Sequence, residues 1–353
     1  MTSKRYSRQV LLDKIGQSGQ DMLSSCNVAI VGCGGLGSIA APYLAGAGIG
    51  GLTLIDGDRP DISNIHRQIL YTGKETDSKA IILGNKIKAL NPDTELTVIP
   101  EFLTKENINE HLTGYDIVLE CTDDIMCKYL VNDFCAAENI PLVYGAIYKY
   151  EGYISLFRNA SDNSINLRDI FPTPDTTILT CSEVGVMNTI AGMIGLLQAN
   201  ECLKYILGIG ESLDDILLTY DCLSNSQNKL KLKKTFKKDI IDLFEESDYS
   251  MQVCNPDHEI TSGELLGDIE KYKILSVMPR NEHVDIADKI EHLLENDVDI
   301  KRIAQRSNPL VIYCRSGKTS GAIVSEIRKL NAGCPVYSLR GGYLDFQKTK
   351  ALS

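Results

Sequence analysis

The chain has 353 residues, of which 43% are hydrophobic, and its formal net charge is −11 at pH 7. This length suits two ordinary domains, and the negative charge argues against a general binder of nucleic acid or anionic membranes. No apolar run is long enough to span a bilayer and the N-terminus carries no apolar signal core, so we expect a cytoplasmic protein. The eleven cysteines include no CxxC pair, which argues against a disulfide scaffold and a simple zinc knuckle.

The first predicted elements precede a glycine-rich turn. Residues 3–9 (SKRYSRQ) are polar and basic and include Arg5 and Arg8, so by themselves they indicate a solvated arm. The range 9–22 predicts helices that are broken at Gly16 and Gly19.

The stretch 27–58 predicts a nucleotide-binding unit. An apolar strand (28–31), a glycine turn, an alanine-rich helix and a second apolar strand (52–55) follow one another, and the second strand ends in Asp56. In such a unit the helix N-terminus attracts an anion, and an acid after the second strand binds ribose hydroxyls. The glycines of the turn are Gly32, Gly34, Gly35 and Gly37. The alternative is a glycine turn that holds no ligand.

A polar segment follows Asp56 and adds side chains that suit phosphate. Lys79 opens a predicted helix that runs to Leu90, which would place its ammonium near the nucleotide. Each side chain alone could be a surface group, but together, directly after a nucleotide turn, they favour a polyphosphate ligand. The candidates for nucleotide binding in this segment are Asp58, Ser63, Asn64, Arg67, Gln68 and Lys79.

Two further strands, 96–99 and 117–119, are predicted next, and the second runs into the acidic sequence ECTDD. Carboxylates at the carboxyl ends of strands in an open α/β sheet lie where ligands bind. Asp123 can therefore hold Mg²⁺ against a phosphate. The alternative role is the N-cap of the helix that follows, and Asp123 and Asp124 can divide the two roles.

The middle of the chain predicts a hairpin of strands 141–147 and 153–157, and then a long loop, 158–180. The loop leads to Cys181, just before an apolar helix predicted over 186–207. A thiol near the start of a helix can have a lowered pKa and act as a nucleophile. A buried, inert cysteine is the alternative.

A strand over 217–220 is followed by a lysine-rich segment, 229–238, in which apolar residues alternate with lysines. This pattern predicts an edge strand that is protected by charge. A docking strip for an acidic partner protein is the alternative.

The composition divides the chain into a first domain over 1–240, a linker over 241–258 and a smaller α/β domain over 259–353. The predicted elements of the smaller domain are a helix at 263–269, a strand at 273–277, a helix at 286–294, a strand at 310–313, a helix at 321–330 and a strand at 336–339.

Cys314 follows the strand 310–313 and opens the loop CRSGKTS. Such a loop surrounds the sulfur with backbone N–H groups, which favour a thiolate or a persulfide, and Arg315 and Lys318 add positive charge. A phosphatase uses a similar loop but closes it with an arginine. Ser320 stands at that position, so sulfur chemistry fits better. The alternative is a cysteine that only packs.

Several motifs occur together in one order: RYSRQ, VGCGGLG, LIDGD, SNIHRQ, CTDD and LTCSEVGVM. Over about residues 4–235 they resemble the ThiF/MoeB family, relatives of the ubiquitin-activating enzymes. The tail, from ITSGELL through VIYCRSGKTSGA to SLRGGYLDF, resembles a rhodanese domain. The resemblance implies a doubly wound, Rossmann-like mixed sheet followed by a small α/β rhodanese-like domain.

The resemblance also implies a reaction. Members of the family use ATP and Mg²⁺ to adenylate the C-terminal Gly-Gly carboxylate of a small ubiquitin-like sulfur-carrier protein. A cysteine desulfurase or thiosulfate supplies sulfur to the rhodanese part, and thiamine, molybdopterin and other sulfur-containing products are all possible end points. The enzyme is expected to be a homodimer.

The residue roles that the resemblance implies follow the motifs. Gly35 and Asp56 hold the nucleotide; Asn64, Arg67 and Lys79 contact phosphates; Asp123 binds Mg²⁺. Arg8 reaches the active site of the other subunit, Cys181 takes the acyl group in some members, and Cys314 bears the persulfide.

The chain departs from the family pattern in two places. Many members hold zinc with two CxxC pairs, but here the corresponding segments, SINLRDIF and KKTFKKDII, contain no cysteine. We therefore predict no zinc site and expect packing to steady that region. In the rhodanese part, Ser276, Val277 and Met278 replace the usual Asp-Val-Arg, which removes a charged pair that supports the domain.

Two other functions remain open on the sequence alone. The glycine fingerprint is shared with NAD-dependent dehydrogenases, although the cluster at Asn64, Arg67 and Lys79 argues against one. Alternatively, the tail is a docking module without catalysis, and only adenylation occurs.

Overall fold

The structure is a computed structural model that describes residues 4–161, 163–174, 185–249, 258–278, 286, 290–293, 298–315 and 317–352. The chain forms two compact units, Met1–Tyr249 and Ser250–Ser353. Among the described residues, no helix is both long and apolar enough to cross a bilayer.

The first unit is built on a mixed sheet. Its described strands are β1 Asn27–Val31, β2 Gly51–Ile55, β3 Glu95–Ile99, β4 Ile117–Glu120, β5 Leu142–Tyr148, β6 Glu151–Phe157, β7 Ile216–Asp221 and β8 Ser226–Lys231. Its described α-helices are α1 Ser7–Val10, α2 Gly16–Ser25, α3 Gly37–Ala47, α4 Lys79–Leu90, α5 Ile108–Leu112, α6 Ile125–Ala137, α7 Leu167–Ile170, α8 Asn188–Leu207 and α9 Ile240–Glu246.

The strand order of this sheet is β3-β2-β1-β4-β5-β6-β7-β8. The strands from β3 to β5 are parallel, whereas β6, β7 and β8 are added antiparallel. The chain moves outward from β1 to β3 and then returns to β4, so the order reverses between β1 and β4. Ligands bind at such a reversal in open α/β sheets. The predicted doubly wound mixed sheet is confirmed.

Helices cover both faces of the sheet because successive residues of each strand point to opposite sides. Ile30 packs in a core with residues of α3, α4 and α8. Ala29 and Val31 pack in a second core with residues of α5 and α6. The edge position predicted for the lysine-rich strand is confirmed, since β8 is the last strand of the sheet and all six of its residues are exposed. Its predicted extent is wrong, because β8 ends at Lys231 and residues 232–238 are not in a strand.

Two local predictions in this unit are wrong. Gly16 breaks the N-terminal helices, with φ at 58°, but α2 continues through Gly19, where a Cβ would stand 3.0 Å from side-chain atoms of Ile15 and Leu207. Gly19 therefore serves a close helix contact rather than a break. The helix predicted from 186 begins at Asn188, because Val186 pairs with Lys149 instead.

The segment predicted as a linker begins with α9, which packs on the first unit. The ring of Phe244 meets that of Phe134 in α6 at 5.7 Å between centroids. Tyr249 is 6% exposed and donates a hydrogen bond of 2.6 Å to Asp133. Residues 240–249 thus belong structurally to the first unit, and residues 250–257 lie outside the described part.

The two segments that lack zinc-binding cysteines are joined by the carboxylate of Asp169, whose side chain is fully buried. One of its oxygens accepts the backbone N–H groups of Thr235 at 2.6 Å and Phe236 at 2.7 Å. The other accepts the N–H of Asn166 at 3.0 Å and lies 3.4 Å from the Lys234 ammonium. A hydrogen-bonded carboxylate, and not packing alone, connects this region.

Replacing Asp169 with alanine is expected to lower the free energy of unfolding by about 1–3 kcal/mol, because the backbone N–H groups of Asn166, Thr235 and Phe236 lose their acceptor. Chemical denaturation followed by circular dichroism measures the change. Asp93 is exposed, and its replacement by alanine should change stability by less than about 0.5 kcal/mol. Equal effects of the two substitutions would contradict a connecting role for Asp169.

The second unit has a five-stranded, all-parallel sheet in its described part, with the order β11-β10-β12-β13-β9. Its described elements are β9 Glu259–Ile260, α10 Ser262–Gly267, β10 Lys273–Ser276, β11 Ile290–His292, α11 Ile300–Ile303, β12 Leu310–Tyr313, α12 Lys318–Leu330, β13 Val336–Leu339 and α13 Gly342–Leu352. The predicted helix at 286–294 is wrong where it is described, because Ile290–His292 pairs with β10 as an edge strand.

Two of the residues that replace the usual Asp-Val-Arg are accommodated without charge. Ser276 is fully buried, and its hydroxyl accepts the N–H of Met278 at 3.4 Å. Met278 is 2% exposed and packs in an apolar core with Ile274 and Val311. Apolar packing in place of a buried ion pair is often neutral or stabilising, so the lost pair does not prevent the domain from packing.

Candidate active site

The glycine turn joins β1 to α3 at the point where the strand order reverses. Gly32 has φ at 91°, and a Cβ on Gly37 would stand 1.9 Å from the carbonyl oxygen of Gly32. Only glycine fits these two positions. No side chain caps the N-terminus of α3. The N–H groups of Ser38 and Ile39 bond to the carbonyls of Gly34 and Leu36, so the attraction for an anion comes from the positive end of the helix dipole.

Asp56 follows β2 and closes the turn. Its carboxylate accepts the N–H of Cys33 at 2.7 Å and that of Asp58 at 2.8 Å. Burial raises the pKa of the Asp56 carboxyl above its usual value, while the positive charge of Lys79 and these two hydrogen bonds act in the opposite direction. Asp56 shapes the turn, and its oxygens retain lone pairs for a ribose hydroxyl.

Arg67 is a buried cation beside the glycine turn. It is 7% exposed, yet its guanidinium makes no hydrogen bond or ion pair with any part of the chain that the structure describes. Its side chain lies beside the turn, since a Cβ on Gly35 would be 3.7 Å from its Cγ. A buried charge without a partner is costly, so this position suits an anion that the described residues do not supply.

Two neighbours complete the wall beside the turn. Gln68 is 4% exposed, and its side-chain oxygen is buried without a hydrogen-bond partner among the described residues. Lys79 is also 4% exposed, and its ammonium lies 2.5 Å from the carboxylate of Asp58. The Asp58 side chain is 54% exposed, so it can move away when a phosphate competes for the ammonium.

Ser63 and Asn64 lie in a short 3-10 helix, Ile62–Asn64. Asp61 caps it by accepting the N–H of Ser63 at 2.8 Å. The carbonyl of Asn64 accepts the N–H groups of Arg67 at 3.1 Å and Gln68 at 3.0 Å. This turn therefore aims Arg67 and Gln68 inward.

Sequence reasoning missed Tyr71. It is 2% exposed, and its hydroxyl donates a 2.6 Å hydrogen bond to the carbonyl of Cys33 inside the glycine turn. The segment that carries Arg67 is thereby tied to the turn. Burial also raises the pKa of the Cys33 thiol well above its usual value, with the charge of Asp56 adding to the effect, so this thiol is inert.

Of the two acidic residues after β4, one has the predicted capping role, and the predicted Mg²⁺-binding role of the other stays a prediction. Asp124 caps α6 by accepting the N–H of Cys127 at 2.7 Å. Asp123 is exposed and makes no hydrogen bond or ion pair with another described residue. Val31 and Glu120 are paired across β1 and β4, so Asp123 lies at the same sheet edge as the glycine turn, where its carboxylate is open to a cation.

The described part of the N-terminal segment is anchored to the rest of the first unit, unlike a solvated arm. Arg5 donates to the carbonyl of Leu90 at 2.7 Å, and Asn91 donates to the Tyr6 hydroxyl at 2.7 Å. Gln9 donates to the carbonyl of Ala47 at 2.9 Å. Arg8 lies between these contacts and is exposed.

The fold thus brings together the glycine turn, Asp56, Arg67, Gln68, Lys79 and Asp123 at the β1/β4 edge. The sequence model of the ThiF family matches residues 6–240 of this chain. The chain belongs to the ThiF family.

Relatives of this ThiF family member are named as adenylyltransferases, and some also as sulfurtransferases. It is 38% identical over 236 residues to the sulfur carrier protein adenylyltransferase of Thermus thermophilus, covering 65% of this chain and 87% of the relative. It is 30% identical to the adenylyltransferase and sulfurtransferase UBA4 of Yarrowia lipolytica, covering 98% of this chain and 93% of the relative. The crystal structure of E. coli MccB with ATP has a TM-score of 0.57 at 20% identity, covering 66% of this chain and 72% of that one, which shows a shared fold.

The second unit of this ThiF family member holds a separate chemical centre. The sulfur of Cys314 accepts the N–H of Gly317 at 3.1 Å and that of Ser320 at 3.5 Å. The Ser320 hydroxyl also lies 3.6 Å from the sulfur and 2.9 Å from the Ser338 hydroxyl. Cys314 is 6% exposed. Donors directed at one sulfur stabilise negative charge on it, as the loop sequence predicts.

Cys181 lies outside the described residues, so its role stays a prediction. Six of the nine described cysteines are buried, and all nine are free thiols. Within the described part of the chain, no group of three or more His, Cys, Asp or Glu residues has the arrangement of a metal site.

Proposed function

We propose that this protein adenylates the C-terminal Gly-Gly carboxylate of a ubiquitin-like sulfur-carrier protein with ATP, and then transfers sulfur through Cys314. The observation that carries the adenylation step is the buried Arg67, whose guanidinium lacks a partner among the described residues beside an uncapped helix N-terminus. The names of the full-length relatives support the combination of the two activities.

In the first step, a carboxylate oxygen of the carrier attacks the α-phosphorus of ATP. The bond from that phosphorus to the bridging oxygen breaks, and pyrophosphate leaves with the electron pair. Arg67, Lys79 and the positive end of the α3 dipole are suited to offset the charge on the phosphate oxygens. Mg²⁺ bound to Asp123 would neutralise the leaving pyrophosphate.

In the second step, the terminal sulfur of a persulfide on Cys314 attacks the acyl carbon, and AMP leaves. A second thiolate then attacks the Cys314 sulfur of the resulting acyl disulfide. The S–S bond breaks, the carrier leaves as a thiocarboxylate, and the second thiol and Cys314 are left as a disulfide, which a further cellular thiol reduces. The sulfur donor is a cysteine desulfurase or thiosulfate. An NAD-dependent dehydrogenase is disfavoured, because Asn64, Arg67 and Lys79 lie together in one segment after the glycine turn, where they suit a polyphosphate.

The direct test is ATP–pyrophosphate exchange with a co-encoded carrier that ends in Gly-Gly. Wild-type protein should exchange label, and Asp123→Ala should reduce the rate by about 10²-fold or more. Asp123 is exposed, so the variant should keep its thermal midpoint. Absence of exchange with bound nucleotide, or unfolding of Asp123→Ala, would count against the assignment.

We also propose a homodimer in which Arg8 serves the partner's nucleotide site. Arg8→Ala and Asp123→Ala should each be inactive alone. When they are mixed, half of the dimers should contain both variants, and each of those should hold one complete site, giving about a quarter of wild-type activity. No recovery on mixing would show that Arg8 acts within its own subunit, and an Arg8→Ala variant that is active alone would show that Arg8 has no role.

A further inference from the structure

A buried ion pair at the carboxyl end of β4 has no part in the chemistry proposed above. Glu120 is fully buried, Lys128 is 7% exposed, and the carboxylate and the ammonium are in direct contact. The Lys128 ammonium also donates to the carbonyl of Gly145 at 2.8 Å and lies 5.2 Å from the ring centroid of Tyr144. The pair therefore connects β4, α6 and β5.

A gain in folding stability is a weak explanation for the buried Glu120–Lys128 pair. The rest of β4 is apolar, with Ile117, Val118 and Leu119 all fully buried. Removing two charges from water costs free energy that their attraction often fails to recover, and an apolar pair of similar size is frequently as stable. Burial alone would lower the pKa of Lys128, but the carboxylate of Glu120 raises it, so the ammonium stays charged.

The geometry around Glu120 indicates what the pair does. The carboxylate oxygen that does not contact Lys128 accepts the N–H of Thr122 at 2.8 Å and the Thr122 hydroxyl at 2.5 Å. The carbonyl of Glu120 accepts the side-chain amide of Gln198 at 2.7 Å. On the far side of Asp123, Asp124 is fixed by its cap on α6. The backbone is therefore held on both sides of Asp123.

We propose that the Glu120–Lys128 pair is a positioning device for Asp123. Lys128 orients the Glu120 carboxylate, the carboxylate fixes Thr122, and Thr122 sets the position from which Asp123 meets a divalent cation bound with nucleotide. Glu120, Lys128 and Thr122 do not touch the cation themselves. This inference rests on the proposed function only in taking Asp123 as the metal-binding carboxylate.

The most informative variant is Thr122→Val. It leaves the Glu120–Lys128 ion pair intact and removes only the Thr122 hydroxyl that donates to the Glu120 carboxylate. Thr122→Ser keeps the hydroxyl and should behave as wild type. The double variant Glu120→Gln/Lys128→Met removes both charges together, so it avoids the unpaired buried charge that could unfold either single variant.

The readout is Mn²⁺ binding to the complex with a non-hydrolysable ATP analogue, measured by electron paramagnetic resonance, together with the thermal midpoint of the free protein. Thr122→Val and the double variant should each weaken Mn²⁺ binding about tenfold, and Thr122→Ser should restore it. The affinity for the analogue without metal should not change.

Glu201→Gln is the matched control. Glu201 is 1% exposed, contacts the Lys204 ammonium at 2.6 Å and accepts the N–H of Leu213 at 2.6 Å, all away from the sheet edge. This control should lower the thermal midpoint and leave Mn²⁺ binding unchanged. Wild-type Mn²⁺ affinity in both Thr122→Val and the double variant would overturn the proposal and leave the pair a purely structural feature.

The proposed function and this inference fail differently. If no carrier supports pyrophosphate exchange, the proposed function is overturned. The positioning role is still supported in that case if Mn²⁺ binding depends on Asp123 and Thr122→Val weakens that binding. Mn²⁺ binding that Asp123→Ala does not alter would overturn the positioning role, whatever the exchange rate.

Discussion

Replacing Arg67 with methionine is expected to abolish ATP–pyrophosphate exchange and, in the same variant, to stabilise the protein in the absence of nucleotide. The guanidinium is 7% exposed and has no partner in the described part of the chain. Loss of a preorganised cation should slow exchange by about 10²–10³-fold. Removal of a buried, unpaired charge should raise the free energy of unfolding by about 1–2 kcal/mol.

Opposite signs for activity and stability are the distinguishing result, because an ordinary structural arginine would lower both. Arg59 lies in the same segment and is exposed, so Arg59→Met is the matched control and should change neither. Exchange rates and urea denaturation with and without nucleotide measure the two effects. A variant at Arg67 that is active, or that is less stable than wild type without nucleotide, would contradict the role.

Replacing Cys314 with alanine is expected to stop sulfur transfer and leave adenylation at the wild-type rate. All residues assigned to the nucleotide lie in the first unit, whereas Cys314 lies in the second. The N–H groups of Gly317 and Ser320 converge on its sulfur at 3.1 and 3.5 Å, which is the environment that a persulfide anion needs. Mass spectrometry should detect one added sulfur atom on wild-type protein and none on Cys314→Ala.

Cys334 provides the control for this experiment. It is 1% exposed in the same unit, and its thiol donates to the carbonyl of Ile303 at 3.3 Å. Cys334→Ala should retain sulfur transfer, with some loss of stability from the cavity. If Cys314→Ala delivers sulfur as well as wild type does, the second unit is a docking module and only the first unit is catalytic.

The predictions that succeeded rest on local patterns. The glycine spacing from Gly32 to Gly37 predicts the turn between β1 and α3, since only glycine fits the close contacts and the positive φ angle of that turn. The ECTDD sequence likewise contains one acid that can cap the following helix and one that can stay exposed. In the structure Asp124 caps α6, and Asp123 is exposed. The local patterns failed at Ile290–His292, where pairing with β10 overrides a helical preference.

By itself, the sequence determined the α/β fold, the nucleotide turn, the thiol loop and the family, because each depends on residues that lie only a few positions apart in the chain. Only the tertiary structure decided that Arg67 is buried without a partner among the residues it describes, that Glu120 pairs with Lys128, and that Asp169 accepts a hydrogen bond from Thr235 across 66 positions of chain. Burial and long-range pairing arise when distant segments exclude water together, and no short stretch of sequence contains that information.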